Sequence, residues 1–161
     1  MAIKKPLVMG SNGLPQQLQS ADSIVVGGTQ MNTITQTNGE AAGIVIGAPV
    51  YQFAAGSVKK AQANAAGTAD ILGLVADVTI SNGASGTICT DGVLTATTGQ
   101  WDAIAGTTGG LVFGTKYFLS PTTAGLLTST VPTTAGQLVV FVGTALSTTD
   151  LQVSIEPEIL L

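Results

Sequence analysis

Histidine and arginine are missing from this 161-residue sequence, and cysteine occurs once, as Cys89. Acid–base catalysis and phosphoryl transfer draw most often on histidine or arginine, and a catalytic thiol usually works beside a histidine base. The inventory therefore predicts a protein that is not an enzyme. Cys89 has no intrachain disulfide partner, and the β-like run 87–90 around it predicts a small buried hydrophobe. A lone thiol also fits synthesis in a cytoplasm.

Charge is scarce. Charged residues make up 9% of the chain, against about 25% in an ordinary soluble domain. The five basic residues are all lysines and the net charge is −4. Nucleic-acid binding needs a basic stripe that displaces condensed counterions, so no nucleic-acid partner is expected.

Long apolar runs and ligand-binding motifs are missing too. The run 138–142 falls far short of the roughly 20 residues of a membrane span, and the apolar stretch after Lys5 is too short for a signal peptide. No acidic run resembles a calcium loop. The glycine-rich segment 106–110 lacks the Gly-Lys-Ser/Thr ending of a phosphate loop. The sequence predicts no membrane, metal or cofactor partner.

Small neutral residues are abundant instead, chiefly Ala, Gly, Thr and Ser. A surface with few charged side chains loses little hydration when it is packed against a neighbour. This composition favours an assembly protein, although a secreted, threonine-rich monomer would share it.

From about residue 41 the chain alternates short β-like runs with glycine turns, and we predict an all-β fold, an antiparallel barrel or sandwich, over residues 24–161. Residues 24–26 start a strand in this interpretation, and the polar stretch up to Gly39 follows it. Asp91-Gly92 is expected to be a turn, and residues 100–104 are expected to give one helical turn and little more. The expected strands are 44–46, 50–53, 58–61, 71–80, 87–90, 93–96, 117–119, 126–130, 138–145 and 151–155.

A faint internal repeat relates residues 47–77 to residues 114–146. Each half has a glycine, a short strand and two Ala-Gly dipeptides at the same spacing. A duplicated β-unit that closes one pseudo-symmetric barrel would explain the pattern, and so would a chance register in a chain rich in Ala and Gly.

Residues 1–23 are expected to form an extended arm, because Pro6, Asn12-Gly13 and Pro15 interrupt regular structure. Ordering a segment costs about 1–2 kcal/mol per residue in backbone entropy, so apolar side chains in the arm need another surface to bury against. That surface is either a partner particle, with Lys4 and Lys5 favouring an acidic patch, or the adjacent protomer. The candidate partner-binding residues are Ile3, Lys4, Lys5, Leu7, Val8, Leu14 and Leu18.

Trp101 is the sole tryptophan, and no second aromatic lies near it in sequence. A sugar-stacking platform is therefore less favoured than a loop anchor or a subunit contact.

Glu156 and Glu158 imitate a glycosidase pair, but Pro157 between them and the chain end beyond argue against that interpretation.

Several segments resemble structural proteins of tailed-bacteriophage virions. The opening, IKKPLVMGSNGLPQQLQ (3–19), is similar to the start of fibre and head-fibre proteins. GTKYFL (114–119), VGTAL (142–146) and IEPEILL (155–161) resemble other virion proteins. The centre, from ILGLV (71–75) to Asp91-Gly92-Val93, is similar in texture to small β-barrel capsid decoration proteins, which are commonly trimers.

The resemblance implies a homotrimeric capsid decoration or head-fibre protein on the virion surface, made in the host cytoplasm and bound to the major capsid protein or another virion protein. Long fibres would add a coiled coil, collagen-like repeats or a receptor-binding head, and the sequence has none of these. A tail or collar fibre adaptor is the first alternative. A carbohydrate-binding adhesion module that recognises a glycan is the second.

Overall fold

A computed structural model describes residues 31–161 and the backbone of two short strands nearer the N-terminus. The elements in chain order are β1 (Leu7–Met9), β2 (Pro15–Gln17), β3 (Asn32–Asn38), β4 (Ile44–Val45), β5 (Pro49–Ala54), β6 (Ser57–Lys60), α1 (Ala66–Ala69), β7 (Ile71–Val75), β8 (Thr79–Ile80), β9 (Ser85–Thr95), α2 (Thr98–Ala105), β10 (Lys116–Leu119), β11 (Leu127–Thr128), β12 (Leu138–Val139), β13 (Phe141–Ala145), β14 (Asp150–Val153) and β15 (Ile159–Leu160).

Five of these strands close into a barrel. The circuit runs β9–β3–β6–β5–β7 and returns to β9, so that each strand has a neighbour on both sides. Strands account for 43% of the structure and helices for 9%, which confirms the all-β prediction. Closure removes most of the exposed backbone edge that an open sheet would leave.

The barrel is not purely antiparallel, because β3 and β6 pair in parallel through Thr37 and Asn38. A parallel pair needs a long crossover connection, and here β4 and β5 lie within that connection. Strand β3 itself comes from the polar stretch for which no strand was expected. The hydropathy pattern did not predict this strand because residues 32–35 are exposed and only Asn38 is buried.

Strand β9 is the longest strand and joins the barrel to the rest of the sheet. Its first part pairs with β3, and its last four residues pair with β14, from which the sheet continues through β13 and β10 to β11. The predicted turn at Asp91-Gly92 is therefore wrong. Gly92 has a positive φ of 102°, and the register with β3 shifts beside it, as in a β-bulge that bends a strand without ending it.

Two predicted strands are each divided in two. The run 71–80 gives β7 and β8, separated by a bend at which the Asp77 carboxylate accepts a hydrogen bond from Thr87 N–H at 2.8 Å. The run 138–145 gives β12, which pairs with β15, and β13, which joins the main sheet. Periodicity alone cannot show where a continuous apolar run changes partners.

The core fills the barrel and continues beneath the extended sheet, with Trp101, Tyr117, Leu74 and Ile88 among its largest fully buried side chains. Cys89 is fully buried, which confirms its predicted role, and burial raises the pKa of its thiol to about 11.

Side chains in and after β14 differ in exposure from one face of the strand to the other. Leu151 and Val153 are buried, whereas Ser154 and Glu156 are exposed. One face of this segment lies on the core and the other faces solvent.

Within the proposed arm, β1 pairs antiparallel with β2, from Leu7 opposite Gln17 to Met9 opposite Pro15. The expectation that nothing regular forms there is wrong at these residues. Asn-Gly, which lies between the two strands in sequence, is a strong hairpin signal, and proline is tolerated at the first position of a strand.

Strands in the two halves of the proposed repeat pair in the same register. Val50 lies opposite Gly73 across β5 and β7, and Tyr117 lies opposite Gly143 across β10 and β13. In both pairs the register shifts immediately after Val50 or Tyr117. The next strand repeats the pattern as well, with Val75 opposite Ile88 and Ala145 opposite Leu151.

The turns that precede β5 and β10 are alike too. Ala48 N–H donates to Val45 O at 3.2 Å, and Thr115 N–H donates to Val112 O at 3.0 Å. The third residue of each turn is a glycine with positive φ, Gly47 at 81° and Gly114 at 76°. Such a turn demands glycine at this position.

Candidate interaction surface

Helix α2 runs for two turns, longer than the single turn expected. Thr97 accepts a hydrogen bond from Gln100 N–H, and the Gln100 side chain accepts one from Thr97 N–H at 2.8 Å, so that the two residues form a capping box. Gly106 ends the helix in the left-handed conformation. These caps compensate for the short length of a helix that would be marginal alone.

Trp101 fixes α2 to two neighbouring loops. Its side chain is fully buried, its Nε1–H donates to Thr149 O at 2.8 Å, and its ring lies against Gly47. This is the position of a loop anchor. A side chain with no exposed surface presents nothing to a sugar or to a neighbouring subunit.

Two aspartates hold the loops beside α2. Asp102 accepts hydrogen bonds from Gly110 N–H at 2.8 Å, Gly109 N–H at 3.0 Å and the Thr107 hydroxyl at 2.9 Å. Asp150 accepts from the hydroxyls of Thr95 and Ser147. These bonds, chiefly that from Gly110 for Asp102 and that from Thr95 for Asp150, lower the pKa of each carboxyl. They favour the fold above the ordinary carboxyl pKa, and that contribution is lost as pH falls through the lowered pKa.

A cleft of about 390 Å³ opens between α2 and the β4–β8 pair, and we call it the α2 cleft. No ionisable side chain lines it, and Val45 and Val78 are exposed to 42% and 69% at its wall. Its lining residues are Val45, Ile46, Val78, Thr79, Thr97, Gly99, Gln100 and Ala103.

A second apolar feature, which we call the apolar turn, consists of Val112, Phe113 and Leu146. Phe113 is 77% exposed, Val112 59% and Leu146 45%. The hydrogen bond from Gly114 N–H to Ala145 O, at 2.8 Å, brings the two chain segments together. Exposed apolar side chains grouped in this way are typical of interaction sites.

The loop from Leu146 to Asp150 connects the two features. Leu146 belongs to the apolar turn, Thr148 O accepts from Leu111 N–H at 3.0 Å, and Thr149 O accepts from Trp101. Thr149 also lines an apolar extension of the cleft together with Ile46 and Val78. The cleft and the turn therefore lie at one end of the molecule, the α2 end.

Of the candidate residues between positions 31 and 161, only Trp101 lies at the α2 end. Ile3, Lys4, Lys5, Leu14 and Leu18 lie outside the described residues, and Leu7 and Val8 lie in β1. Glu156 and Glu158 are exposed and line a separate cleft of about 250 Å³ beside Asp70. Between residues 31 and 161 no group of three His, Cys, Asp or Glu side chains is placed to hold a metal ion.

Sequence reasoning did not single out the α2 end. Val112-Phe113 directly before a turn glycine was an available signal, because apolar residues at a turn have little core to enter. The cleft gave no local signal, since its walls come from residues some fifty positions apart in the chain. The arrangement offers uncharged, apolar contact with another surface.

The chain matches no known protein family and no curated protein sequence. No helix in the described part of the chain has the length and apolar character needed to cross a membrane.

Proposed function

We propose that this chain is a non-enzymatic structural protein of a tailed-phage virion, a homotrimeric decoration or head-fibre protein that docks on the capsid. The observation that carries the proposal is the α2 end, where an uncharged cleft with two exposed valines at its wall and a turn with three more exposed apolar side chains lie on a closed barrel. A surface of this kind is costly to leave in water. The resemblance of the sequence to virion proteins is the reason for proposing a phage capsid as the partner.

A rigid barrel with an apolar end suits a protein that reinforces a shell. It binds the assembled capsid and not the separated capsid subunits, so mass action would stabilise the assembled state. The low charge, 9% of residues, limits the hydration lost at such a contact. Lys4 and Lys5 at the N-terminus would add attraction to an acidic patch on the shell.

Cryo-electron microscopy of virions produced by the encoding genome tests the proposal. We expect density for the chain on the capsid surface in trimers, at tens to hundreds of copies per particle. A few copies or a dozen at the neck would favour the collar adaptor, and specific signals on a glycan array would favour the adhesion module. Absence of the chain from purified virions would overturn the proposal.

A further inference from the structure

The two related turns of the fold differ in what covers them. At the first turn, Ile46 is 6% exposed and the Trp101 ring of α2 lies against Gly47. At the second turn, Phe113 is 77% exposed, and an added Cβ on Gly114 would meet no heavy atom within 4 Å. The two central residues of the turn are thus buried in one half of the chain and exposed in the other.

The α2 cleft has a size and a lining suited to an exposed apolar side chain such as Phe113. Its volume of about 390 Å³ lies within the range of roughly 300–1,000 Å³ typical of pockets that enclose an organic group. Its wall carries exposed valines and the methyl group of Ala103. An aromatic ring is the kind of group that gains most from such a site, because each aromatic side chain buries about 150–250 Å².

Charge around the two features is also complementary. Neither the apolar turn nor the cleft lining contains an ionisable side chain. Contact between them therefore leaves no buried charge without a partner. Lys116, which is exposed, follows the turn, and Asp77 adjoins Val78 at the cleft wall. The Asp77 carboxylate accepts one hydrogen bond, from Thr87 N–H, whereas the other nearby carboxylates, Asp102 and Asp150, each accept at least two. Opposite charges at an interface rim steer encounter and fix orientation.

We propose that the α2 cleft of one copy receives the apolar turn of a second copy, with Phe113 as the inserted side chain. The contact is heterologous, because it joins two different patches, and repetition around an axis closes a ring when the rotation allows it. Both patches lie at the α2 end, so a ring would gather these ends around its axis. The inference rests on the homo-oligomer of the proposed function and specifies its contact.

Light scattering coupled to size exclusion, on the full chain at micromolar concentration, tests the contact. We expect the wild type to be oligomeric and Phe113→Ser to be monomeric, with association weakened roughly thirty-fold or more, as for an interface hot spot. Ala103→Glu, which places a charge in the cleft, should act in the same way. The matched control is Phe53→Ser, because Phe53 is also exposed, at 44%, but lies under Lys59 on another surface.

A disulfide trap identifies the partner patch. In the double variant Phe113→Cys with Gln100→Cys, oxidation should give covalent oligomers, whereas each single variant should stay uncrosslinked because buried Cys89 is inaccessible. A monomeric wild type, a Phe113→Ser protein that assembles normally, or crosslinking by Phe113→Cys alone would overturn the inference. Microscopy of virions tests the location of the chain on the particle separately. If the chain is found on virions but fails the light-scattering and crosslinking tests, only the proposed contact between copies is refuted.

Discussion

Asn38 is a buried polar residue, and its amide organises the end of the barrel. Its side-chain N–H groups donate to Ile80 O at 2.7 Å and Ala42 O at 2.9 Å, and its side-chain oxygen accepts from Glu40 N–H at 2.7 Å. The Asn38 backbone also bonds to residues 83 and 84. One side chain thereby ties β3 to the loop before β4 and to the end of β8.

Replacing Asn38 by leucine should destabilise the fold by about 3 kcal/mol, because each buried polar group left unpaired costs about 1–3 kcal/mol. Urea unfolding followed by circular dichroism measures the change in the free energy of unfolding. Thr35→Ala, on the exposed part of the same strand, is the control and should change stability by no more than about 0.5 kcal/mol. A leucine variant as stable as this control would contradict the role given to Asn38.

At the scale of single residues, the sequence predicted properties that depend on residue type. It did not predict properties that depend on partners distant in the chain. Cys89 was expected to be a small buried hydrophobe, and it is. Asn38 precedes a glycine in a polar stretch, which locally indicates a loop. Its burial follows from carbonyls as far away as Ile80, and no local pattern contains that information.

Strands β7 and β13 each contain a glycine that the neighbouring strand leaves no room to replace. A Cβ added to Gly73 would overlap the carbonyl oxygen of Cys89, and one added to Gly143 would overlap that of Gln152. Because Gly73 and Gly143 occupy the same register position in the strand pairs β5–β7 and β10–β13, the close approach is a shared property of both halves of the proposed repeat.

Gly73→Ala and Gly143→Ala should therefore each destabilise the protein, by about 1–3 kcal/mol or more, since backbone must move to relieve the overlap. Thermal unfolding gives the comparison. Gly67→Ala is the matched control, because Gly67 lies in α1 with no heavy atom within 4 Å of the added methyl, and it should stabilise the protein by about 0.5–1 kcal/mol. Unequal losses at the two strand glycines would show that the halves are packed differently.

At the scale of elements, apolar alternation and glycine turns located most strands, because those signals are local. The exceptions have tertiary causes. Strand β9 continues through Asp91-Gly92 since a bulge absorbs the irregularity, and α2 extends beyond one turn because of its caps. The candidate surface at the α2 end was out of reach for the same reason, since the loop 146–150 brings its parts together only in the folded chain.

For the whole molecule, the described pairings show which part of the chain the fold needs. All five barrel strands lie between Asn32 and Thr95, and the extended sheet lies between Thr95 and Val153 or shares β9. The described strands of residues 1–23, β1 and β2, form a separate two-stranded sheet outside the barrel circuit. The barrel pairings are therefore complete without the proposed arm, and removal of the arm can test attachment separately from folding.

Deletion of residues 1–23 should leave a folded, oligomeric protein that no longer decorates virions, because we propose that the apolar arm residues and Lys4 and Lys5 bind the particle. Circular dichroism and light scattering check the fold and the assembly, and quantification on purified virions checks attachment. The full-length variant Lys4→Gln with Lys5→Gln is the graded control, and its attachment should be weaker and less salt-dependent than that of the wild type. Full occupancy of virions by the truncated chain would show that the arm is not the anchor. If the truncated chain instead dissociates into monomers, the arm binds the adjacent protomer. Ordering the arm costs about 1–2 kcal/mol per residue, and burial between copies would then offset that cost.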